Sequence, residues 1–300
     1  MVLVGVAGGA YALRAAPPRR PSQQANRRGN TTTGSTAVAA SQRVSPGDGD
    51  LFTLPAVASY LAGTTDGLTA AVYDEVTGVT SLYRPGVAES TASIMKVDIL
   101  ATLLAQGQAD GDALSPNDQS LSVDMIEHSD NDDAQDLWDA EGGSRAVSAF
   151  DAAAGLTQTD PDEAGYWGLS TTTAADQVQL LRTVAYPNPV LTTGSQNYAL
   201  NLMTHVEAYQ AWGVSAGVAP GVTVALKNGW LPLDSGGWQI NSIGYVDGAG
   251  RDYVIAVLTN ANATEAGGIA AVEGLSGLIW QALAPNGSTS TTTTSTSTSS

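Results

Sequence analysis

Lysine occurs only twice in this chain of 300 residues, as Lys96 and Lys227, and both copies stand beside groups that could do chemistry. Lys96 follows Ser93 by three residues at the predicted start of a helix over 93–107, so one helical turn puts amine and hydroxyl on the same face. A neutral amine there can take the hydroxyl proton, and the free N–H groups of the helix N-terminus suit a developing oxyanion. Such a serine is a workable nucleophile where burial or nearby positive charge keeps the lysine partly neutral. Taken alone, S-x-x-K is also what a surface lysine on an ordinary helix would show. Lys227 lies in the apolar run VTVALKNGWLPL (222–233), followed by Asn228 and Gly229. A glycine weakens a strand unless something must approach its backbone. An edge-strand lysine that blocks aggregation is the structural alternative. Between the two lysines, MIEHSDNDDAQDLW contains Ser129-Asp130-Asn131, by itself a good helix N-cap. Asp130, Asp132 and Asp133 mimic part of a calcium loop, but its glycine and distal glutamate are missing.

Composition removes whole classes of chemistry. There is no cysteine, which excludes thiol nucleophiles, disulfide scaffolds and cysteine-ligated metals. His128 and His205 are the only histidines, too few for a multi-histidine metal site, and nothing in the sequence calls for a metal or cofactor. His128 reads as a neutral loop residue and His205 as a helix-surface one. Gly213-Val214-Ser215-Ala216-Gly217 matches the G-x-S-x-G elbow of α/β-hydrolases, yet no histidine follows it to complete their triad. The net charge is −17, and all six basic residues before Asp48 are arginines. From Asp48 onward 29 acids face six bases, about −23, a surface that repels phosphate backbones and speaks against nucleic-acid binding. Trp167, Trp212, Trp230 and Trp238 suit either a cleft lining or a core.

The elements that must position these residues form an α+β pattern. Residues 1–13, MVLVGVAGGAYAL, are apolar but too short to span a bilayer, and Ala10-Tyr11-Ala12 offers an A-x-A cleavage site, so the segment reads as a secretory signal. Residues 14–48 read as a disordered linker rich in Pro, Arg, Ser and Thr, and 286–300 as a Ser/Thr-rich disordered tail. The folded unit is then 49–285. A short helix over 53–62 precedes strand-like runs at 68–76 and 79–86, joined by Thr77-Gly78. After the 93–107 helix, the stretch 108–220 is mostly helical. Strand character returns at 222–233, 237–246 and 251–260, and 268–284 is an amphipathic helix. This predicts one antiparallel five-stranded sheet, flanked by N- and C-terminal helices, with an inserted helical subdomain.

S-x-x-K, S-D-N and K-x-G in that order are the motif set of class A β-lactamases and penicillin-binding proteins. Here the set is Ser93-Ile94-Met95-Lys96, Ser129-Asp130-Asn131 and Lys227-Asn228-Gly229, and both lysines of the chain fall on its two lysine positions. Over 49–285 the chain resembles the class A β-lactamase-like serine hydrolases, most closely a secreted, alanine-rich branch typical of actinobacteria. GLSTTTAADQVQLL (168–181) is similar to the Thr-rich helix start after that family's Ω-loop. The resemblance implies that Ser93 is acylated, Lys96 takes its proton and Ser129 relays a proton to the departing nitrogen. It implies that Asn131 holds a substrate amide, that Lys227 and the flanking Asn228 and Gly229 meet a substrate carboxylate, and that the N–H groups of Ser93 and Trp230 form an oxyanion hole. The implied substrate is a β-lactam or peptidoglycan-like peptide, met by a monomer that is secreted or wall-associated and keeps no membrane span when mature.

Three departures bear on turnover. Asn228 stands where threonine or serine is usual, and Ser93 and Ser129 are only 36 residues apart, shorter than in familiar class A enzymes. The E-x-x-L-N pattern of the Ω-loop is absent. Its place is taken by TQTDPDEAGYWGLS, where Glu163 is the best candidate water-activating base beside Asp160 and Asp162. Without a base the enzyme would acylate and stall, as a penicillin-binding protein does.

Overall fold

The computed structural model describes residues 50–64, 67–233 and 236–284; the signal-like segment, the 14–48 linker and the 286–300 tail lie outside the described residues. The chain enters through helix α1 (Pro55–Ala62), with proline at its first turn, and then the hairpin β1 (Leu68–Asp74) and β2 (Val79–Tyr83). A two-residue strand β3 (Glu89–Ser90) leads to helix α2 (Met95–Asp110), which ends on left-handed Gly111. The subdomain follows: α3 (Pro116–Val123), capped by Ser115; α4 (Asn131–Glu141), capped by Asp130; and α5 (Gly143–Ala154). A loop returns to β4 (Thr171–Thr172), α6 (Ala174–Ala185) and α7 (Thr193–Thr204). The chain closes with β5 (Thr223–Pro232), β6 (Trp238–Gly248), β7 (Arg251–Asn262) and α8 (Glu265–Ala282).

The five long strands form one antiparallel sheet, as the sequence pattern predicts, and their order is β2-β1-β7-β6-β5. Alternation sends successive side chains to opposite faces, and the two faces build two cores. Val254, Ala256 and Leu258 of β7 join Leu100, Leu137, Leu180 and Val184 in the core under the subdomain. Their neighbours Ile255 and Val257 join Val57, Leu61, Val272 and Ile279 under the terminal helices. Each fully buried Val, Leu or Ile contributes roughly 1.5–3 kcal/mol. The sheet is thus gripped from both sides, a rigid base for β5.

Two helix starts and one short strand pair differ from the sequence expectation. The helix expected from Ser93 begins as a 3-10 turn, Ala92–Ile94, before α2, because Ala92 takes a left-handed φ of 47°. The pair β3–β4, with Glu89 opposite Thr172, is too short to show alternation. The last helix begins at Glu265 rather than 268. Thr264 caps it by accepting from Gly267 N–H, and Gly268 lets it lie against β6, where a Cβ would come 2.4 Å from Ile240.

Candidate active site

Local structure brings three of the sequence motifs to one point. Ser93 is half-buried in the 3-10 turn, and Lys96 follows in the first turn of α2, fully buried. A single π-turn, Asp124–His128, ends at Ser129 in the left-handed conformation with φ 58°. Non-glycine residues in that region carry of order 1–3 kcal/mol of strain and cluster at functional sites; Ala92 and Ser129 both flank this one. Asp130 accepts from the N–H groups of Asp132 and Asp133 as the cap of α4, which sets Asn131 at the helix start. From the other side β5 delivers Lys227, also fully buried. Ala225 belongs to the subdomain core and Leu226 to the opposite one, so alternation turns Lys227 and Gly229 toward the subdomain and Asn228 and Trp230 away from it.

Ser129 is the meeting point. Lys96 Nζ donates to the Ser129 carbonyl at 2.6 Å and to Asn131 Oδ1 at 2.8 Å, and lies 3.1 Å from Ser129 Oγ. Lys227 Nζ donates to the same Oγ at 2.9 Å. Burial first, and then the charge of Lys227, pull Lys96 down to about 6, while Asp130 and Asp133 push the other way. Burial brings Lys227 to about 7. Two ammonium groups sharing one hydroxyl disfavour each other, and burial favours the neutral form of both. Lys96 Nζ faces three oxygens, the Ser129 carbonyl, Ser129 Oγ and Asn131 Oδ1, and among the described residues none of its hydrogen bonds runs to Ser93.

Gly229 explains why a glycine interrupts β5. A Cβ there would lie 2.8 Å from Thr91 O and 2.9 Å from the Ser93 nitrogen, so only glycine lets the strand close on the serine turn. Asn241, opposite Gly229 on β6, donates to the carbonyls of Ser90 (2.8 Å) and Thr91 (3.0 Å) and ties the same turn from behind.

Asn228 and Glu163 sit differently from their expected roles. Asn228 Nδ2 donates to the carbonyls of Gln210 (2.7 Å) and Trp212 (3.1 Å), so its amide holds a neighbouring segment. Trp230 packs its ring beside Trp212, centroids 6.1 Å apart. Glu163 is exposed in the turn of the 155–170 loop, and among the described residues no hydrogen bond or ion pair joins it to Lys96 or Ser129. Asp162 Oδ1 accepts from Ala164 and Tyr166 N–H, and Asp160 bridges Thr171. What this loop lays on Lys96 is the indole of Trp167, 6% exposed, with Nζ 4.9 Å from the ring centroid. Thr91 Oγ1 donates to the Trp167 carbonyl at 3.3 Å and fixes the loop to the serine turn. The sequence left Trp167 open between a cleft lining and the core, and the structure places it, buried, against the site lysine.

His128 is half-exposed and pairs with Glu207 (2.6 Å) and Asp124 (3.7 Å), and its hydrogen bond to Glu207 raises its pKa. Ser215 spends its hydroxyl on Ala211 O, as part of a structural loop.

Fold and site geometry together define a β-lactamase-like serine hydrolase fold. The chain belongs to the Beta-lactamase enzyme family, Beta-lactamase2, whose model matches residues 112–283; Ser129 and Lys227 fall inside that stretch, Ser93 and Lys96 ahead of it. Among curated proteins it is similar to "Putative lipoprotein LppW" of Mycobacterium tuberculosis (strain ATCC 25618 / H37Rv), 28% identical over 199 residues, covering 63% of this chain. The same name, identity and coverage hold for the Mycobacterium bovis (strain ATCC BAA-935 / AF2122/97) protein. The chain spans 62% of the length of these relatives. Among solved structures, the TLA-1 extended spectrum Beta-lactamase matches with a TM-score of 0.68 at 18% identity, over 76% of this chain and 98% of that one. PBP-A matches at 0.64 and 19%, over 74% and 92%. The class A beta-lactamase from Mycobacterium abscessus matches at 0.63 and 20%, over 75% and 96%. At these identities the likeness is one of fold.

Proposed function

We propose that this chain is a serine acyl-transfer enzyme that opens a β-lactam or a related amide or ester and holds the acyl group on Ser93. The observation that carries this reading is the convergence of both lysines on Ser129 Oγ, at 3.1 and 2.9 Å. Ser93 Oγ bonds to the carbonyl carbon as its proton moves to neutral Lys96. The N–H groups of Ser93 and Trp230 stabilise the oxyanion. The carbon–nitrogen bond then breaks, Ser129 gives its proton to the departing nitrogen, and Lys96 returns one to Ser129. Lys227 attracts the anionic group of the substrate, and Asn131 meets its amide.

Trp167 favours slow turnover. Hydrolysis of the ester needs a base within reach of a water, and an indole is none. The acids of the 155–170 loop are exposed or engaged with the loop itself. The adduct therefore persists, as in the penicillin-binding manner of acylation. The word lipoprotein in the relatives' name and the signal-like run at 1–13 support work outside the cytoplasm. Among the described residues no helix is long and apolar enough to cross a membrane.

The test is labelling with a fluorescent penicillin followed by a chase. The expected result is a covalent adduct on Ser93 that decays over hours and is absent in Ser93→Ala. Labelling that survives Ser93→Ala, mapped by mass spectrometry to another serine, would remove the nucleophile assignment.

A further inference from the structure

The segment Glu207–Trp212 is pinned across the Lys227 side of the site. At one end Glu207 N–H donates to Glu127 O at 3.0 Å, and its carboxylate contacts His128 Nδ1 at 2.6 Å. At the other end Asn228 Nδ2 donates to the carbonyls of Gln210 and Trp212. Between these clasps lies Gln210, 1% exposed, whose Nε2 donates to the Tyr209 hydroxyl at 3.0 Å and whose Oε1 faces Lys227 Nζ at 3.5 Å. The amide has no choice of orientation, because an ammonium only donates and the oxygen must face it.

We propose that Gln210 is a positioning residue for Lys227, satisfying an ammonium N–H without cancelling its charge and so reserving that charge for a single carboxylate on the substrate. The inference rests on the acyl-serine reading above and adds to it the residue that holds Lys227 ready for the substrate's anionic group. Among the described residues the acceptors of Lys227 are all neutral: Ser129 Oγ at 2.9 Å, Gln210 Oε1 at 3.5 Å and the Asn228 carbonyl at 3.5 Å. In a chain with 29 acidic residues, no carboxylate among the described residues pairs with it. The two long contacts are those an incoming carboxylate displaces at least cost, and the short one keeps Ser129 in place. A carboxylate at position 210 would fill the site from within. An apolar side chain would leave a buried N–H without an acceptor, which costs more than the bond itself is worth. Asn228 now has a task that its position in the third motif does not reveal: it holds the backbone that presents Gln210.

The test compares Gln210→Glu and Gln210→Met with the unsubstituted chain. Acylation rates are measured from pH 5 to 9 with benzylpenicillin, an anion, and with its neutral methyl ester. Gln210→Glu should lower the anion-to-ester rate ratio by roughly tenfold or more, the scale of losing one charge contact in a buried site. It should also move the pH at which that ratio collapses upward, because a carboxylate beside Lys227 keeps it protonated. Gln210→Met should move that pH downward, and it serves as the readout if the glutamate variant does not fold. Equal losses for both compounds, with the pH unmoved, would mean that Gln210 only supports the fold and would overturn the proposal. If neither compound labels the unsubstituted chain, the acyl-serine reading falls and this proposal with it. Labelling of the unsubstituted chain with an unchanged ratio in both variants overturns this proposal alone.

Discussion

Removing Lys227 should retune Lys96. Acylation by an anionic reagent needs Lys96 neutral and Lys227 protonated. The rate therefore climbs as pH rises through about 6 and falls as pH passes about 7, giving a narrow bell centred between them. Two pH units to either side of that centre, only about one-thirtieth of one essential group remains in its working form, so the rate drops roughly twentyfold. The two amines share one hydroxyl, so these limbs belong to the pair. In Lys227→Ala the alkaline limb disappears. The acid limb shifts to higher pH, because Lys96 loses a neighbouring positive charge and gains solvent, and both changes favour its protonated form. Asp130 and Asp133 remain and pull the same way. The rate at the optimum falls by an amount on the order of 2–4 kcal/mol, the usual loss for a charge-assisted contact in a partly buried site. The assay is the initial rate of fluorescent penicillin labelling at constant ionic strength, from pH 4.5 to 9. An acid limb that stays put or moves downward in Lys227→Ala would show that Lys96 is not the titrating base.

Three further outcomes follow from contacts already described. Glu163→Gln should change the lifetime of the acyl adduct by less than about twofold, because the side chain is exposed and engages nothing at the lysine pair; a much longer-lived adduct would make Glu163 the base. Gly229→Ala should cost about 1–3 kcal/mol of stability and slow labelling further than that loss explains, since the new methyl meets Thr91 O and the Ser93 nitrogen; unchanged labelling would place the strand farther from the serine. Asp98 and Asp151 are both buried, on α2 and α5, and among the described residues no hydrogen bond satisfies either carboxyl. Burial raises both, Asp151 to about 7, so their stabilisation is present at low pH and lost as pH rises through the folded values. Melting temperature should fall from pH 5 to 8, and Asp98→Asn should flatten the fall; identical slopes would dissociate the pair from the effect.

Much of this architecture is legible in residue order because its signals are local. The alternation in VTVALKNGWLPL, GWQINSIGYV and RDYVIAVLTN places β5, β6 and β7 within a few residues, and Ser93, Lys96, Ser129 and Lys227 are marked by motif spacing. What stayed hidden depends on contacts between distant residues. Gln210 meets Lys227 across 17 positions, and Asn241 meets the serine turn across about 150. Trp167 reaches Lys96 only because the 155–170 loop folds back. No periodicity announces such contacts, and nothing in the residue types of Gln210 and Asn241 foretells that they are buried.

The helix cap seen at Ser129-Asp130-Asn131 and the proton relay proposed for it use the same residues. Asp130 accepts from Asp132 and Asp133 N–H because α4 needs a cap, a bond worth about 1 kcal/mol in an ordinary helix. That cap fixes where α4 begins, and so where Asn131 Oδ1 meets Lys96. It also anchors the residue after Ser129, which holds a left-handed φ of 58° and offers both its carbonyl and its hydroxyl to the same amine. The capping carboxylate further acts on Lys96 by raising its affinity for a proton against the pull of burial and Lys227. A substitution that spares the cap but removes its charge, Asp130→Asn, should therefore leave the helix in place and lower the acid limb of the labelling profile. One that removes both, Asp130→Ala, should also loosen Asn131 and slow acylation at every pH. If both variants shifted the profile alike and lost the same stability, the cap and the relay would be separable after all.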